Sequence, residues 1–114
     1  PNIHIDDICD IYLHFIKNSS KLESGFYNAG FENISILDIA KLIQSKIDCE
    51  IEIMESNDPR SYRQDSKKLI NSGFEPSKNI AIAIDELITA YKNGNLIDKD
   101  EWHTVKWMKI NNLK

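Results

Sequence analysis

The sequence has few cysteines and no long apolar run. Its two cysteines, Cys9 and Cys49, show neither a Cys-x-x-Cys spacing nor a histidine pair at the spacing of zinc ligands. This argues against a disulfide framework and a structural zinc site, and it predicts buried, reduced thiols. No apolar stretch approaches the roughly 18 residues that a membrane-spanning helix needs, and the N-terminus lacks a signal-peptide pattern. We therefore expect a cytoplasmic location and no membrane contact.

The sequence also lacks the motifs of nucleotide chemistry. There is no glycine-rich turn for a dinucleotide pyrophosphate, no Walker-type loop and no Tyr-x-x-x-Lys pair of the kind used for proton transfer beside a nicotinamide. The net charge is −4, from 14 basic and 18 acidic residues, which argues against a nucleic-acid partner because such binding depends on Lys and Arg neutralising phosphates. Any phosphate site must therefore be local.

The chain of 114 residues is expected to fold as one domain, residues 1–114, which begins with Pro1 as a fragment or a processed product would. Apolar residues at helical spacing predict four helices, and a less regular fifth follows with Asp98 or Asp100 as its cap. The residues expected to begin the four helices are Asp6 or Asp7, Ser35, Ser66 and Asn79. The first helix is expected to end at about Lys17, the buried stripe of the second reaches Ile47, Gly73 is expected just past the end of the third, and Gly94 is expected to end the fourth.

Two segments are predicted to be strands. Residues 25–30 read as a short strand bounded by glycines, and residues 50–55 alternate acidic and apolar side chains. Because each strand is followed by a helical crossover, the order favours an α/β fold with two short parallel strands. Two strands alone are marginal in water, so we expect them to extend a sheet or pack against a body that this chain does not contain.

The segment 58–68 concentrates cations, an aromatic ring and turn residues. Arg60 offers a planar fork of donors suited to phosphate oxygens, Arg63 follows one helical turn later, and Tyr62 adds a ring with a polar tip. The pattern is typical of a loop that binds a nucleoside diphosphate. The alternative is a solvated loop in which Arg60 pairs with Asp58 or Asp65, since exposed ion pairs are common and weak.

Taken together, these motifs resemble the C-terminal, substrate-binding part of an extended short-chain dehydrogenase/reductase, the NAD-dependent nucleotide-sugar epimerase and dehydratase family. The resemblance covers about residues 1–92 and fades over 93–114, a helical tail. The motifs that carry it, in the family's order and spacing, are Ile3-His4-Ile5-Asp6-Asp7, Tyr27-Asn28-Ala29-Gly30 with Ser35, Asp58-Pro59-Arg60-Ser61-Tyr62, Asp65-Ser66-Lys67-Lys68 and Gly73-Phe74-Glu75-Pro76.

The resemblance implies that the two parts of such an enzyme have separate roles. In such enzymes an N-terminal Rossmann half binds NAD(P) and carries the catalytic Tyr and Lys, while the C-terminal part closes over the nucleoside-diphosphate sugar. This chain would then be inactive alone, with no catalytic, cofactor or metal residue of its own, and with the missing half and the sugar nucleotide as partners. Arg60 and Tyr62 are the expected substrate-binding residues. The reaction (epimerisation or dehydration), the base, the sugar and a homodimer stay open.

Other residues have a structural and a functional reading. His4, Asp6 and Asp7 are better explained by a strand end and a helix cap than by a metal site. Asn28 is expected to stabilise a turn rather than to hydrogen-bond a ligand. Lys67 and Lys68 are expected to face solvent rather than to contribute to a phosphate site. Trp102 and Trp107 are expected to cover the core rather than a partner surface. The alternative for the whole chain is a stand-alone protein-interaction module that kept the scaffold without the site.

Overall fold

The computed structural model describes residues 1–55 and 60–112, and over these residues the chain is helical with long connections. The helices form where apolar residues recur every three or four positions. Two compact units are present, Pro1–Ile84 and Asp85–Lys114. The α-helices are α1 (Ile5–Asn18), α2 (Ile36–Gln44), α3 (Lys67–Asn71), α4 (Ile80–Lys92) and α5 (Thr104–Ile110), and a 3₁₀ turn spans Asp100–Trp102.

Helix α1 begins earlier than the sequence predicts. Its N-cap is His4, whose Nδ1 accepts a hydrogen bond from the Asp6 backbone N–H at 3.1 Å. Asp6 and Asp7, the expected caps, instead lie in the first turn, where their negative charge complements the positive end of the helix dipole. The helix ends at Asn18, one residue beyond the expected end.

The predicted caps of the later helices are confirmed in part. Ser35 Oγ accepts from the Asp38 N–H at 3.1 Å, which confirms Ser35 as the N-cap of α2, and it also donates to the Asp38 carboxylate at 2.6 Å. Ser66 occupies the N-cap position of α3 without making a side-chain cap, and Asp65 Oδ1 accepts the Lys67 N–H at 2.8 Å instead. Gly73 follows α3 with φ of +89°, a left-handed conformation that glycine adopts without strain.

The prediction of two parallel strands, and with it the α/β class, is wrong. Among the described residues no strand forms, and the pairing is one isolated antiparallel bridge between Asn2 and Glu32. A strand is stable only when a neighbour takes up its backbone hydrogen bonds, and residues 25–30 and 50–55 have no such neighbour in the described part of the chain. The alternation at 50–55 leaves Ile53 78% exposed.

A small core lies within the first unit. Its buried hydrophobic side chains among the described residues are Leu69, Phe74 and Ile84. Phe74 stacks on Phe31 with ring centroids 5.8 Å apart, and its ring meets the edge of His14 at 5.7 Å. These contacts join the inner face of α1 to the segments on either side of α3.

Helix α1 is apolar on two faces. Ile8, Ile11 and Phe15 are half-buried on its inner face, whereas its outer face is open to solvent. Cys9 lies on the outer face as an exposed thiol, so the expectation of buried cysteines is wrong for this residue, and Cys49 is half-buried. We define the outer face by its large apolar residues and their exposed fractions: Ile5 at 65%, Tyr12 at 68% and Ile16 at 71%.

The second unit contains the 3₁₀ turn and α5. Its contacts are polar and local: His103 Nε2 lies 2.6 Å from Asp98 Oδ1, and Lys106 Nζ contacts the Asp100 carboxylate. Trp102 and Trp107 are 52% and 40% exposed, and their covering of the core stays a prediction. Over the described residues, every helix is too short or too polar to cross a bilayer.

Candidate functional site

Five hydrogen bonds between three pairs of residues join residues 28–33 to residues 64–66, and we call this set of bonds the clasp. Asn28 Nδ2 donates to the Asp65 carbonyl at 3.2 Å. Ser66 Oγ accepts the Gly30 N–H and donates to the Gly30 carbonyl, both at 3.0 Å. Asn33 bonds both backbone groups of Gln64. The clasp brings together segments that are more than 30 residues apart in sequence.

The centre of the clasp is buried and tightly packed. Ser66 is 8% exposed, and its hydroxyl satisfies both polar groups of the Gly30 backbone, which buried peptide groups require. A Cβ atom added at Gly30 would lie 3.0 Å from Gln64 Oε1 and 3.0 Å from the Pro1 Cβ. Position 30 therefore favours glycine because Gln64 and Pro1 lie close to its backbone, and a side chain at this position would displace them.

The segment that carries the expected substrate contacts ends where the clasp begins. Arg60, Tyr62 and Arg63 are exposed, Tyr62 by 64%, and Gln64 follows directly. Arg60 and Arg63 are the two arginines of the whole sequence. Residues 58 and 59 of the motif lie outside the described part of the chain. The clasp thus holds the C-terminal end of a segment whose arginines and tyrosine are accessible to a ligand.

An open pocket of about 430 Å³ lies beside the clasp. Its size falls in the range of small-molecule sites, and its wall combines apolar side chains with polar groups of the clasp. Arg60 and Tyr62 are not part of this wall. The lining residues are Gly30, Phe31, Gln64, Asp65, Ser66, Lys67, Ile70 and Pro76.

Both lysines of α3 have partners within this chain. Lys67 Nζ lies 3.5 Å from Asp65 Oδ2, and both side chains are largely exposed, so the pair is weak. Lys68 Nζ lies 4.3 Å from the centre of the Tyr27 ring, a cation–π contact. The structure thus gives Lys67 a solvated position, as expected, and Lys68 a packing contact with Tyr27. Asn28 was expected to stabilise a turn, and its amide instead donates to the Asp65 carbonyl, 37 residues away in sequence.

The cluster at the start of α1 has structural partners. Asp7 is 1% exposed, and its carboxylate accepts hydrogen bonds from the Ser77 N–H at 2.9 Å, the Ser77 hydroxyl at 3.0 Å and the Lys78 N–H at 3.3 Å. Asp6 lies 3.5 Å from Lys78 Nζ. The cavity beside these residues, about 40 Å³, has room for a single water molecule. These groups fix the turn that precedes α4.

A second, apolar pocket of about 250 Å³ lies between α2 and residues 51–54. Ile36 and Leu37 form one side of it, and Ile53 and Met54 form the other. Its lining is mostly apolar, and Glu52 is the charged residue among the lining residues. This pocket and the outer face of α1 are both apolar surfaces of the first unit.

Sequence reasoning missed Asn33 and Gln64. Neither residue is among the site residues expected from the sequence. Their contact spans 31 residues, and no local pattern predicts it. Arg60 and Arg63 are exposed cations beside the clasp, and guanidinium groups have the geometry that suits anionic oxygens. No protein-family model matches the chain, and no solved structure matches it.

Proposed function

We propose that this chain is the nucleotide-sugar-binding part of an NAD(P)-dependent sugar-nucleotide epimerase or dehydratase. Arg60 binds the diphosphate, and Tyr62 contacts the adjoining ribose or phosphate. The observation that carries the proposal is the clasp, which anchors at Gln64 the short segment that holds both arginines. The clasp fixes the backbone at one end of this segment, and a guanidinium can meet phosphate oxygens through two parallel hydrogen bonds.

The charge distribution supports an anionic ligand at this place. The chain carries a net charge of −4, so a ligand with two phosphates is repelled by most of its surface. Arg60 and Arg63 are exposed and close in sequence, and they offset this repulsion locally. The open pocket beside the clasp offers Phe31, Ile70 and Pro76 for the apolar part of a nucleotide.

The redox step belongs to a second half of the enzyme in this proposal. NAD(P) would accept and return the hydride there, next to the catalytic Tyr and Lys, and this chain would bind and orient the sugar nucleotide. The reaction class is that of an isomerase or a lyase. A cytoplasmic location belongs to the same proposal, and it is supported by the unpaired thiols of Cys9 and Cys49, which suit a reducing compartment.

The outer face of α1 is the surface that we assign to the dinucleotide-binding half. A helix that is apolar on both faces is normally buried on both, and Ile5, Tyr12 and Ile16 are each more than 60% exposed. The same face supports a second candidate function, a protein-interaction module without a nucleotide site. Ligand binding separates the two, since a pure interaction module has no affinity for nucleoside diphosphates.

The test is a titration of the ¹⁵N-labelled protein with uridine, thymidine, cytidine and guanosine diphosphate-sugars. We expect one of them to shift the amide resonances of residues 60–66. Arg60→Ala should weaken the binding of that ligand by roughly tenfold to a hundredfold, since a hydrogen bond to a charged group contributes about 1.5–3 kcal/mol. Lys17→Ala, which removes an exposed cation at the end of α1, is the matched control and should leave the affinity unchanged. Equal affinity in the Arg60 variant would remove this residue from the site.

A further inference from the structure

We infer that Asn33 is a positioning residue for the arginine segment, residues 60–63. The inference rests on the proposed function for the identity of the ligand, a nucleoside diphosphate. It adds to that function the side chain through which the fold holds the arginines ready for the phosphates. Asn33 itself touches no ligand in this proposal.

Two hydrogen bonds carry the inference. Asn33 Nδ2 donates to the Gln64 carbonyl at 3.0 Å, and Asn33 Oδ1 accepts the Gln64 N–H at 2.9 Å. One side-chain amide therefore occupies both backbone groups of Gln64, as a neighbouring strand would. Because Gln64 follows Arg63 directly, the bonds fix the peptide at the end of the arginine segment.

Asn33 is itself held on both sides along the chain. Immediately before it, Asn2 and residues 31–32 form a backbone bridge, with Asn2 N–H donating to the Glu32 carbonyl at 2.9 Å and Phe31 N–H donating to the Asn2 carbonyl at 3.0 Å. Two residues after it, Ser35 caps α2. The amide of Asn33 thus belongs to a fixed part of the first unit, and it transmits that rigidity to Gln64.

The physical consequence concerns the entropy of binding. A segment that is mobile before binding must be ordered when the ligand arrives, and the ordering cost reduces the affinity. A segment held by Asn33 has already lost part of that freedom on folding. We therefore expect Asn33→Ala to weaken the binding of a nucleoside diphosphate by roughly tenfold, although the substitution removes no contact with the ligand.

The experiment measures the dissociation constant of uridine diphosphate, with the thymidine, cytidine and guanosine diphosphates in parallel. The proteins are the wild type, Asn33→Ala, Arg60→Ala and the double variant, at a temperature where circular dichroism shows each to be folded. If Asn33 positions Arg60, the arginine substitution costs less affinity in the Asn33→Ala background than in the wild type. Asn71→Ala, at the exposed end of α3, is the matched control and should bind as the wild type does.

Additive effects of the two substitutions would overturn the inference. So would an Asn33→Ala protein that melts at a lower temperature but binds with unchanged affinity, since that result describes a merely structural side chain. A second readout needs no ligand: the ¹⁵N heteronuclear NOE of residues 60–63 should fall in Asn33→Ala and not in Asn71→Ala. An unchanged NOE overturns the inference whatever the binding results are.

The two readouts separate this inference from the proposed function. If the wild type binds none of the nucleoside diphosphates, the proposed function fails, and the NOE still decides whether Asn33 orders the arginine segment. If the wild type binds and Arg60→Ala abolishes binding while Asn33→Ala has no effect, the proposed function is supported and the positioning role is overturned.

Discussion

At the scale of single residues, the best-defined polar group is the carboxylate of Asp7. A carboxylate that is 1% exposed is costly to bury unless donors replace the lost water. Ser77 provides two such donors and Lys78 a third, all of them about 70 residues away in sequence. Asp7 thereby ties the first turn of α1 to the turn before α4.

The Asp7→Ala variant should therefore be strongly destabilised. The substitution leaves two backbone N–H groups and a hydroxyl without their acceptor, and we expect a loss of about 3 kcal/mol in the free energy of unfolding. Asp10→Ala is the matched control, because Asp10 is an exposed carboxylate on the same helix, and it should change stability by less than about 0.5 kcal/mol. Urea denaturation followed by circular dichroism measures both, and similar midpoints for the two variants would contradict this account of Asp7.

At the scale of elements, the clasp takes the place of the predicted sheet. Residues 25–30 were expected to pair with another strand, and instead Gly30 directs both of its backbone groups to the hydroxyl of Ser66. The side chains of Asn28 and Asn33 provide further bonds to the same segment. Backbone groups that lack a strand partner are thus satisfied by side chains, as buried peptide groups require.

Ser66→Ala tests whether the clasp stabilises this region. The variant leaves the buried N–H and carbonyl of Gly30 without the hydroxyl, and each unsatisfied group costs about 1–3 kcal/mol, so we expect a total loss of about 2–4 kcal/mol. Ser61→Ala removes an exposed hydroxyl from the neighbouring arginine segment and should be close to neutral. Thermal melts of the two variants decide the point, and a melting temperature of Ser66→Ala equal to that of the wild type would refute it.

The helices could be predicted from the sequence because the signals for them are local. Apolar spacing and the Ser35 cap act within one or two turns, and α2 begins next to the predicted cap. The absence of strands could not be predicted in the same way. The alternation at residues 50–55 shows only that the segment has two different faces, and it does not specify a neighbouring strand. Arg60 and Tyr62 could be proposed as substrate-binding residues because a guanidinium group and a phenol ring suit a phosphate-containing ligand wherever they are exposed. Asn33, which meets Gln64 across 31 residues, has no local signal.

At the scale of the whole molecule, apolar surface exceeds what the described core buries. Leu69, Phe74 and Ile84 are the buried hydrophobic side chains of the first unit, and burying such a side chain contributes about 1.5–3 kcal/mol. Large contiguous apolar patches on a protein surface mark interaction sites. The outer face of α1 exposes Ile5, Tyr12 and Ile16 on one side of the helix, so we expect these residues to matter for contact with a partner more than for the folding of this chain.

Ile16→Lys should therefore leave the chain folded and reduce its exposed apolar surface. Ile16 is 71% exposed, so we expect a change in unfolding free energy within about 0.5 kcal/mol, together with weaker fluorescence of a bound hydrophobic dye. Ile8→Lys is the matched variant on the half-buried inner face of the same helix, and it should cost about 2 kcal/mol or more because it puts a charge against the core. If Ile16→Lys destabilised the chain as much as Ile8→Lys, the outer face would already be packed within this protein, and it would have no surface left for a second half.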